Sequence, residues 1–193
     1  MGAAMKKGLF PFLFVTVVTA AAGVLCACGR TVGEQETGRY VTVIHADYPE
    51  YDTAGSLVEA VDLVFSGEVK SVSYELLDVR SEDGADSMTG FAGAGSIPYT
   101  IFEIEVSDVY KGDVPGTTVY LKRPGGTLDT GEYVLEGAAA VTVGRNYLFA
   151  AQTYEDTYPS FANATQSAYD LDASATESAD GGIALSEILA LFE

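Results

Sequence analysis

The chain has 193 residues and carries 28 acidic against 10 basic side chains, a net charge of −18 at neutral pH. This balance argues against nucleic acid as a partner, because phosphate binding needs a basic patch. The length suits a single domain with a sizeable core. Since the acids are dispersed along the chain, we interpret the charge as a property of a soluble surface.

Residues 1–27 have the pattern of an export signal. Lys6 and Lys7 form a short basic region, Leu9–Val18 is almost wholly apolar, and small residues follow. The apolar run is too short and too rich in Ala and Gly at its end to predict a transmembrane helix. An ordinary cleaved signal with two incidental cysteines and an uncleaved anchor helix remain as alternatives.

The segment Leu25-Cys26-Ala27-Cys28 resembles the lipobox of bacterial lipoproteins. The resemblance implies cleavage before Cys28, acylation of that cysteine with palmitate-type chains, and a protein held on the extracytoplasmic face of the cell membrane. Cys26 fits the acceptor position poorly, because Leu25 would then stand where a small residue belongs. Two or more acyl chains anchor a protein stably where one is marginal.

Lipidation at Cys28 would leave the mature domain without a free cysteine. Disulfide bonds, thiolate catalysis and Cys-based zinc sites are then excluded. Removing the signal would also leave 8 basic against 28 acidic side chains, because Lys6 and Lys7 are its only charged residues. Repulsion between these acids and anionic lipid would hold the domain away from its own bilayer.

Composition divides the mature chain into a tether at residues 28–38, a folded domain at residues 39–171 and a linker with a C-terminal helix at residues 172–193. Within the domain, alternation of apolar and polar residues predicts two long strands and, after a turn, a third strand. They are Leu63–Tyr74, Ser96–Tyr110 and, after the turn Lys111–Gly116, Thr117–Lys122. A change in the parity of the apolar positions between Val69 and Val72 predicts a β-bulge.

Weaker patterns predict the remaining elements. Further strands are expected at Arg39–His45, Glu132–Leu135 and Arg145–Ala151, with a last one inside the tyrosine-rich stretch Tyr154–Tyr169. Ser56–Val61 predicts a helical turn before the first long strand, with Ser56 as N-cap and Glu59 at capping-box spacing. The acidic, Gly-rich segment Leu77–Gly95 predicts either a functional loop or an extended hairpin tip.

Residues Ile183–Phe192 predict the C-terminal helix. Ile188, Leu189 and Phe192 fall at helical spacing, and Ser186 or Asp180 can serve as the cap. We expect the apolar stripe of this helix to pack on the strands.

Medium-length strands separated by turn signals predict a mainly β chain: a small five-stranded barrel with one C-terminal helix and a short helix before the first long strand. Three segments resemble netrin-like and TIMP-like barrels, namely Ala60–Val69, Phe102–Asp113 and Val143–Ala150. The resemblance spans Ala60–Ala151 and implies an OB-type barrel. It does not extend to the inhibitory mechanism of TIMPs, which needs a disulfide-held N-terminal cysteine on zinc, whereas Cys28 would carry lipid.

No motif in the sequence predicts a catalytic residue, a metal site or a cofactor. His45 is the only histidine, and without a partner motif we interpret it as structural. Asp78–Gly84 and Asp170–Glu177 lack the order of an EF-hand loop, although dispersed acids remain open to weak calcium binding.

Twelve tyrosines form the one unusual feature of the composition. Five of them fall in predicted loops or loop edges: Tyr48, Tyr51, Tyr154, Tyr158 and Tyr169. Exposed tyrosines offer contact area at low entropic cost, as on recognition surfaces. We predict partner contacts at Tyr154 and Tyr158; the alternative is that these rings rim a barrel that lacks tryptophan.

Together these features predict a non-enzymatic binding module on the membrane, with an extracytoplasmic protein as its partner. The loops Glu82–Gly95 and Tyr154–Tyr169 are the expected contact segments. One alternative is an envelope hydrolase with paired carboxylates, which any two converging acids would allow. Another is a protease inhibitor acting through an edge loop.

Overall fold

A computed structural model describes residues 40–78, 96–129, 131–173 and 182–193. The predicted signal, Cys28, the tether, most of the connection after Leu77 and most of the linker before Gly182 lie outside these ranges. The described chain is mainly β, as predicted, with nine strands and two short helices. Their bounds are β1 Tyr40–Ile44, α1 Ala54–Ala60, β2 Leu63–Leu77, β3 Ile97–Lys111, β4 Thr118–Pro124, β5 Gly126–Leu128, β6 Gly131–Leu135, β7 Asn146–Gln152, β8 Ser160–Phe161, β9 Ala168–Asp170 and α2 Leu185–Leu189.

The strands form two sheets. A three-stranded sheet has the order β1-β6-β5, with β1 parallel and β5 antiparallel to β6. A six-stranded sheet has the order β2-β3-β4-β8-β7-β9, and β2 also pairs with β7, so this sheet is partly closed. Its weakest junction is the parallel contact of β4 with β8, through the single pair Lys122 and Ser160.

The hairpin β2–β3 is the longest pairing of the fold. It runs antiparallel from Val64 opposite Lys111 to Leu77 opposite Ile97. A register shift between Val69 and Ser71 confirms the predicted bulge, and two more shifts lie nearer the start of β2. Bulges bend a strand and increase its twist, which allows β2 to pair with β3 on one side and β7 on the other.

Side chains of the six-stranded sheet bury on two sides. One side, called here the inner face, carries a core cluster that includes Phe65, Phe102, Ile104, Leu121 and Phe149. The outer face of β2 and β7 carries a second cluster, to which both helices contribute. In β7 every residue from Tyr147 to Ala151 is therefore buried, which explains its unbroken apolar sequence.

Helix α1 begins three residues earlier than the sequence pattern predicts. Thr53, in extended conformation, is the N-cap; its Oγ1 accepts from the Ser56 amide at 3.1 Å, and Ser56 Oγ accepts from the Thr53 amide at 3.2 Å. The predicted cap Ser56 is therefore wrong: Ser56 is the third helical residue of a capping box, where a serine hydroxyl replaces the usual glutamate or glutamine. The helix buries Leu57.

Helix α2 confirms the predicted C-terminal helix. Ile188 is buried, and Leu189 and Phe192 pack at the edge of the outer cluster. The predicted cap Ser186 lies inside the helix, which follows Ala184, and the other predicted cap, Asp180, lies outside the described residues. The side chain of Glu187 caps the start of the helix instead, because its Oε2 accepts a hydrogen bond from the Ala184 amide at 3.4 Å.

Candidate interaction site

A buried lysine organises the tyrosine-rich part of the chain. Lys122 alternates with the inner-face residues Leu121 and Arg123 on β4, so its side chain points outward, yet only 2% of it is exposed. The segment between β7 and β8 covers it. Its Nζ donates to Thr157 Oγ1 at 3.2 Å and lies 4.6 Å from the centroid of the Tyr154 ring.

Tyr154 is fixed at both ends of its side chain although 39% of the residue is exposed. The ring face lies on the Lys122 ammonium, and the hydroxyl lies 3.2 Å from Ser160 Oγ. Both contacts restrict the rotation of the side chain. Tyr154 therefore presents an aromatic edge that is already ordered, so that binding a partner costs little side-chain entropy.

Tyr158 lies in the same loop and is half-buried. Its ring centroid is 6.1 Å from that of Tyr120, a β4 residue that is 44% exposed. Tyr120 is a surface residue that the loop-based prediction missed. Alternation along β4 was the signal that would have found it, because Tyr120 and Lys122 share one face of that strand.

A small cleft of about 190 Å³ adjoins Tyr154. Its wall at residues 47–51 is held by amide side chains rather than by a strand ladder. Gln166 Oε1 accepts from the Tyr51 amide at 3.0 Å, Gln166 Nε2 donates to the Tyr51 carbonyl at 2.9 Å, and Asn163 Nδ2 donates to the Pro49 carbonyl at 3.0 Å. Partial burial raises the pKa of the Tyr51 hydroxyl. The lining residues are Asp47, Tyr48, Pro49, Tyr51, Gln152, Tyr154, Ser160, Phe161 and Ala162.

These residues define a surface, called here the tyrosine surface: Tyr48, Tyr51, Tyr120, Tyr154 and Tyr158. Four of its members were predicted in loops, and all four lie outside the strands and helices. Tyr169, the fifth tyrosine of that prediction, lies in β9 and is 2% exposed, so its assignment to a loop edge was wrong. Burial in the outer cluster raises its pKa.

The lone histidine lies on the surface. His45 Nδ1 lies 2.6 Å from Glu136 Oε2, and both side chains are about two-thirds exposed. In the described ranges, no group of three or more His, Cys, Asp or Glu residues could hold a metal ion. The same ranges contain no helix long and apolar enough to cross a membrane.

Comparison with protein-family models, with curated proteins and with solved structures found no match for the chain.

Proposed function

We propose that this protein is a lipid-anchored, extracytoplasmic binding module of a bacterial cell, non-enzymatic, that recognises another protein through the tyrosine surface. The observation that carries this proposal is the state of Tyr154: its ring is exposed, but Lys122 and Ser160 hold it in one position. Rigid exposed aromatic residues are typical of the centres of protein interfaces, where a few of them supply most of the binding energy.

The charges beside this surface favour a particular kind of partner. Asp47, Glu155 and Asp156 are acidic residues on the segments that carry Tyr48 and Tyr154, and Glu155 and Asp156 are exposed. The Lys122 charge lies beneath the surface rather than on it. We infer a partner with an apolar centre for the tyrosine rings and a basic rim, since complementary potentials speed association and exclude wrong partners.

The pairing order of five strands supports an OB-type barrel as the scaffold of this module. Numbered along the chain, β2, β3, β4, β7 and β8 pair in the order first, second, third, fifth, fourth and back to first, and the third and fifth are parallel. That order is the one of the five-stranded OB fold. The netrin/TIMP-like resemblance of Ala60–Ala151 agrees with it, and β1, β6 and β5 would then be an added sheet.

The lipid anchor rests on Leu25-Cys26-Ala27-Cys28 and is tested separately from binding. Cells expressing the full chain are labelled with an alkyne analogue of palmitate, and the tagged protein is isolated. Cys28→Ser should abolish labelling and release the protein from the membrane fraction, whereas Cys26→Ser should leave both unchanged. Labelling of the Cys28→Ser variant would overturn the anchor.

Partner binding is tested by cross-linking the tagged, full-length protein on intact cells and identifying the captured proteins by mass spectrometry. Tyr154→Ala combined with Tyr158→Ala should eliminate the specific captured protein. The matched control is Tyr40→Ala, because Tyr40 is 81% exposed and lies on the other sheet. Unchanged capture by the double variant, or capture lost equally in the control, would refute the role of the tyrosine surface.

A further inference from the structure

A second cleft, of about 390 Å³, lies between the two sheets. One side is the inner face of β2, β3 and β4 near the ends of those strands, and the other is β5, β6 and residues 138–141. The Gly125 amide donates to the Pro98 carbonyl at 2.8 Å, and Thr100 Oγ1 donates to the Gly125 carbonyl at 2.9 Å. These bonds fasten the turn between β4 and β5 to β3 at the edge of the cleft. Its volume lies within the range of small-molecule sites.

The positively charged side chain of Arg123 lies in the floor of this inter-sheet cleft. The register places Tyr74, Thr100 and Arg123 opposite one another on three neighbouring strands. The Arg123 guanidinium carbon lies 5.0 Å from the Phe102 ring centroid and 5.3 Å from that of Phe161, and Nη1 donates to the Ala139 carbonyl at 2.7 Å. Two rings and a carbonyl thus hold the guanidinium in place.

The Arg123 charge has no counter-ion among the described residues, none of which forms an ion pair with it. Arg145, by contrast, pairs with Asp170 at 3.0 Å. Burial lowers the pKa of the Arg123 guanidinium, because part of its hydration shell is lost. Apart from the bond to Ala139, its N–H groups donate to no described atom, and none of them is sealed from solvent. They can therefore donate hydrogen bonds to an anionic group that enters the cleft.

The remaining walls determine what else such a ligand must offer. Glu132 on β6 lines the same cleft, is exposed, and forms no ion pair with Arg123. An apolar wall lies beside these two charges, formed by Val72, Ala138, Ala139, Ala140 and Val141. The cleft thus offers one positive group, one negative group and an apolar surface.

We propose that the inter-sheet cleft binds a small zwitterion of the α-amino-acid type with an apolar side chain. The ligand carboxylate pairs with Arg123, its ammonium faces Glu132, and its side chain lies on the apolar wall. A zwitterion suits this protein better than a simple anion, because the net charge of −18 repels anions. The assignment does not depend on Tyr154 and Tyr158 or on the lipid anchor.

The test is an NMR titration with L-leucine. The ¹⁵N-labelled protein spans residues 28–193, the full chain without the predicted signal. Leucine should shift the amide signals of Gly125, Gly126 and residues 138–141. At matched ionic strength, leucinamide, which lacks the carboxylate, should shift none of them, and N-acetyl-leucine, which lacks the ammonium, should bind several-fold more weakly. A Kd of about 1 mM would give near-saturation by about 10 mM leucine.

Variants assign the two charges. Arg123→Gln should abolish leucine binding, whereas Arg145→Gln, which removes an ion-paired arginine outside the cleft, should leave it unchanged. Glu132→Gln should weaken leucine several-fold but leave N-acetyl-leucine as it was, because that ligand has no ammonium. Equal binding of leucinamide and leucine, shifts confined to other parts of the chain, or no shift at 10 mM leucine would each overturn the proposal, and all three are read on the unmutated protein.

Discussion

Lys111, the last residue of β3, donates hydrogen bonds from Nζ to the Val61 carbonyl at 2.6 Å and to the Val58 carbonyl at 2.7 Å. These carbonyls belong to the end of α1, a helix with no basic residue in its last turn. The last carbonyls of a helix lack intrahelical partners and carry partial negative charge. A residue fifty positions further along the chain therefore caps α1 and joins it to the hairpin.

Lys111→Met should destabilise the protein by about 1–3 kcal/mol, because it keeps the length of the side chain but leaves partly buried carbonyls without a donor. Urea unfolding measures the change. Lys70→Met is the matched control: Lys70 pairs with Glu68 and Glu105 at the surface, and we expect no measurable change there. Similar midpoints for the two variants would contradict the capping role.

Gly67→Ala should destabilise the fold by about 2–3 kcal/mol. A Cβ at this position would lie within 3 Å of the Glu105 carbonyl oxygen and of the Ile104 side chain, at a register shift of the β2–β3 hairpin. The backbone of β3 would have to move to admit it. Gly55→Ala is the control, since a Cβ at this position would meet nothing closer than 3.8 Å. Gly55 lies in α1, where alanine is favoured over glycine by about 0.5–1 kcal/mol. Thermal unfolding of both variants should give shifts of opposite sign.

Thr53→Ala should cost about 1 kcal/mol, the typical loss for removing an N-cap. The Ser56 amide would lose its acceptor at the start of α1. Ser186→Ala, an exposed change inside α2, should leave stability almost unchanged. If guanidinium unfolding gave equal midpoints for the two variants, the Thr53 capping box would contribute nothing to stability.

Tyr169→Phe should stabilise the protein by about 1 kcal/mol at pH 7, because the Tyr169 hydroxyl is buried and has no hydrogen-bond partner among the described residues. It should also flatten the loss of stability in alkali. Burial raises the pKa of Tyr169 in the folded state, whereas the unfolded chain loses this proton near pH 10. The free energy of unfolding that the protonated Tyr169 contributes is therefore complete below about pH 10 and falls as the pH rises above it.

Unfolding in urea at about pH 7 and about pH 11 measures both effects. Tyr120→Phe, at an exposed tyrosine, is the control for removal of a hydroxyl and should leave stability at about pH 7 unchanged. A Tyr169→Phe variant that loses as much stability between the two values as the wild type would show that Tyr169 does not titrate in this way.

Local pattern predicted the elements whose sequence reflects a single strand or helix. Alternation predicted β2, β3 and β4. The parity change near Val69 predicted the bulge from the sequence of β2 alone, without its partner strand. The apolar stripe of α2 was equally readable from Ile188 onward. Each of these signals is contained within about fifteen residues, because side-chain direction has a short period in regular structure.

The failures lie where distant residues decide the outcome. Thr53 and Ser56 are both good caps, and only the start of the helix tells which one is used. The three-residue strand β5 has no alternation to recognise, and it is a strand because Gly126–Leu128 pairs with β6. Tyr169 was assigned to a loop edge, but pairing with Leu148 on β7 and the packing of the helices bury it.

The sequence by itself determined a mainly β chain, its long hairpin and its acidic surface. It also contains the lipobox-like segment that predicts export and a lipid anchor. Only the tertiary structure decided that Lys122 is buried beneath Tyr154 and that Arg123, the next residue, lines the inter-sheet cleft together with Glu132. A charged side chain in an alternating strand predicts exposure to water. Whether a loop or a second sheet then covers it depends on segments far away in sequence, whose positions follow from the pairing of strands and not from the local pattern.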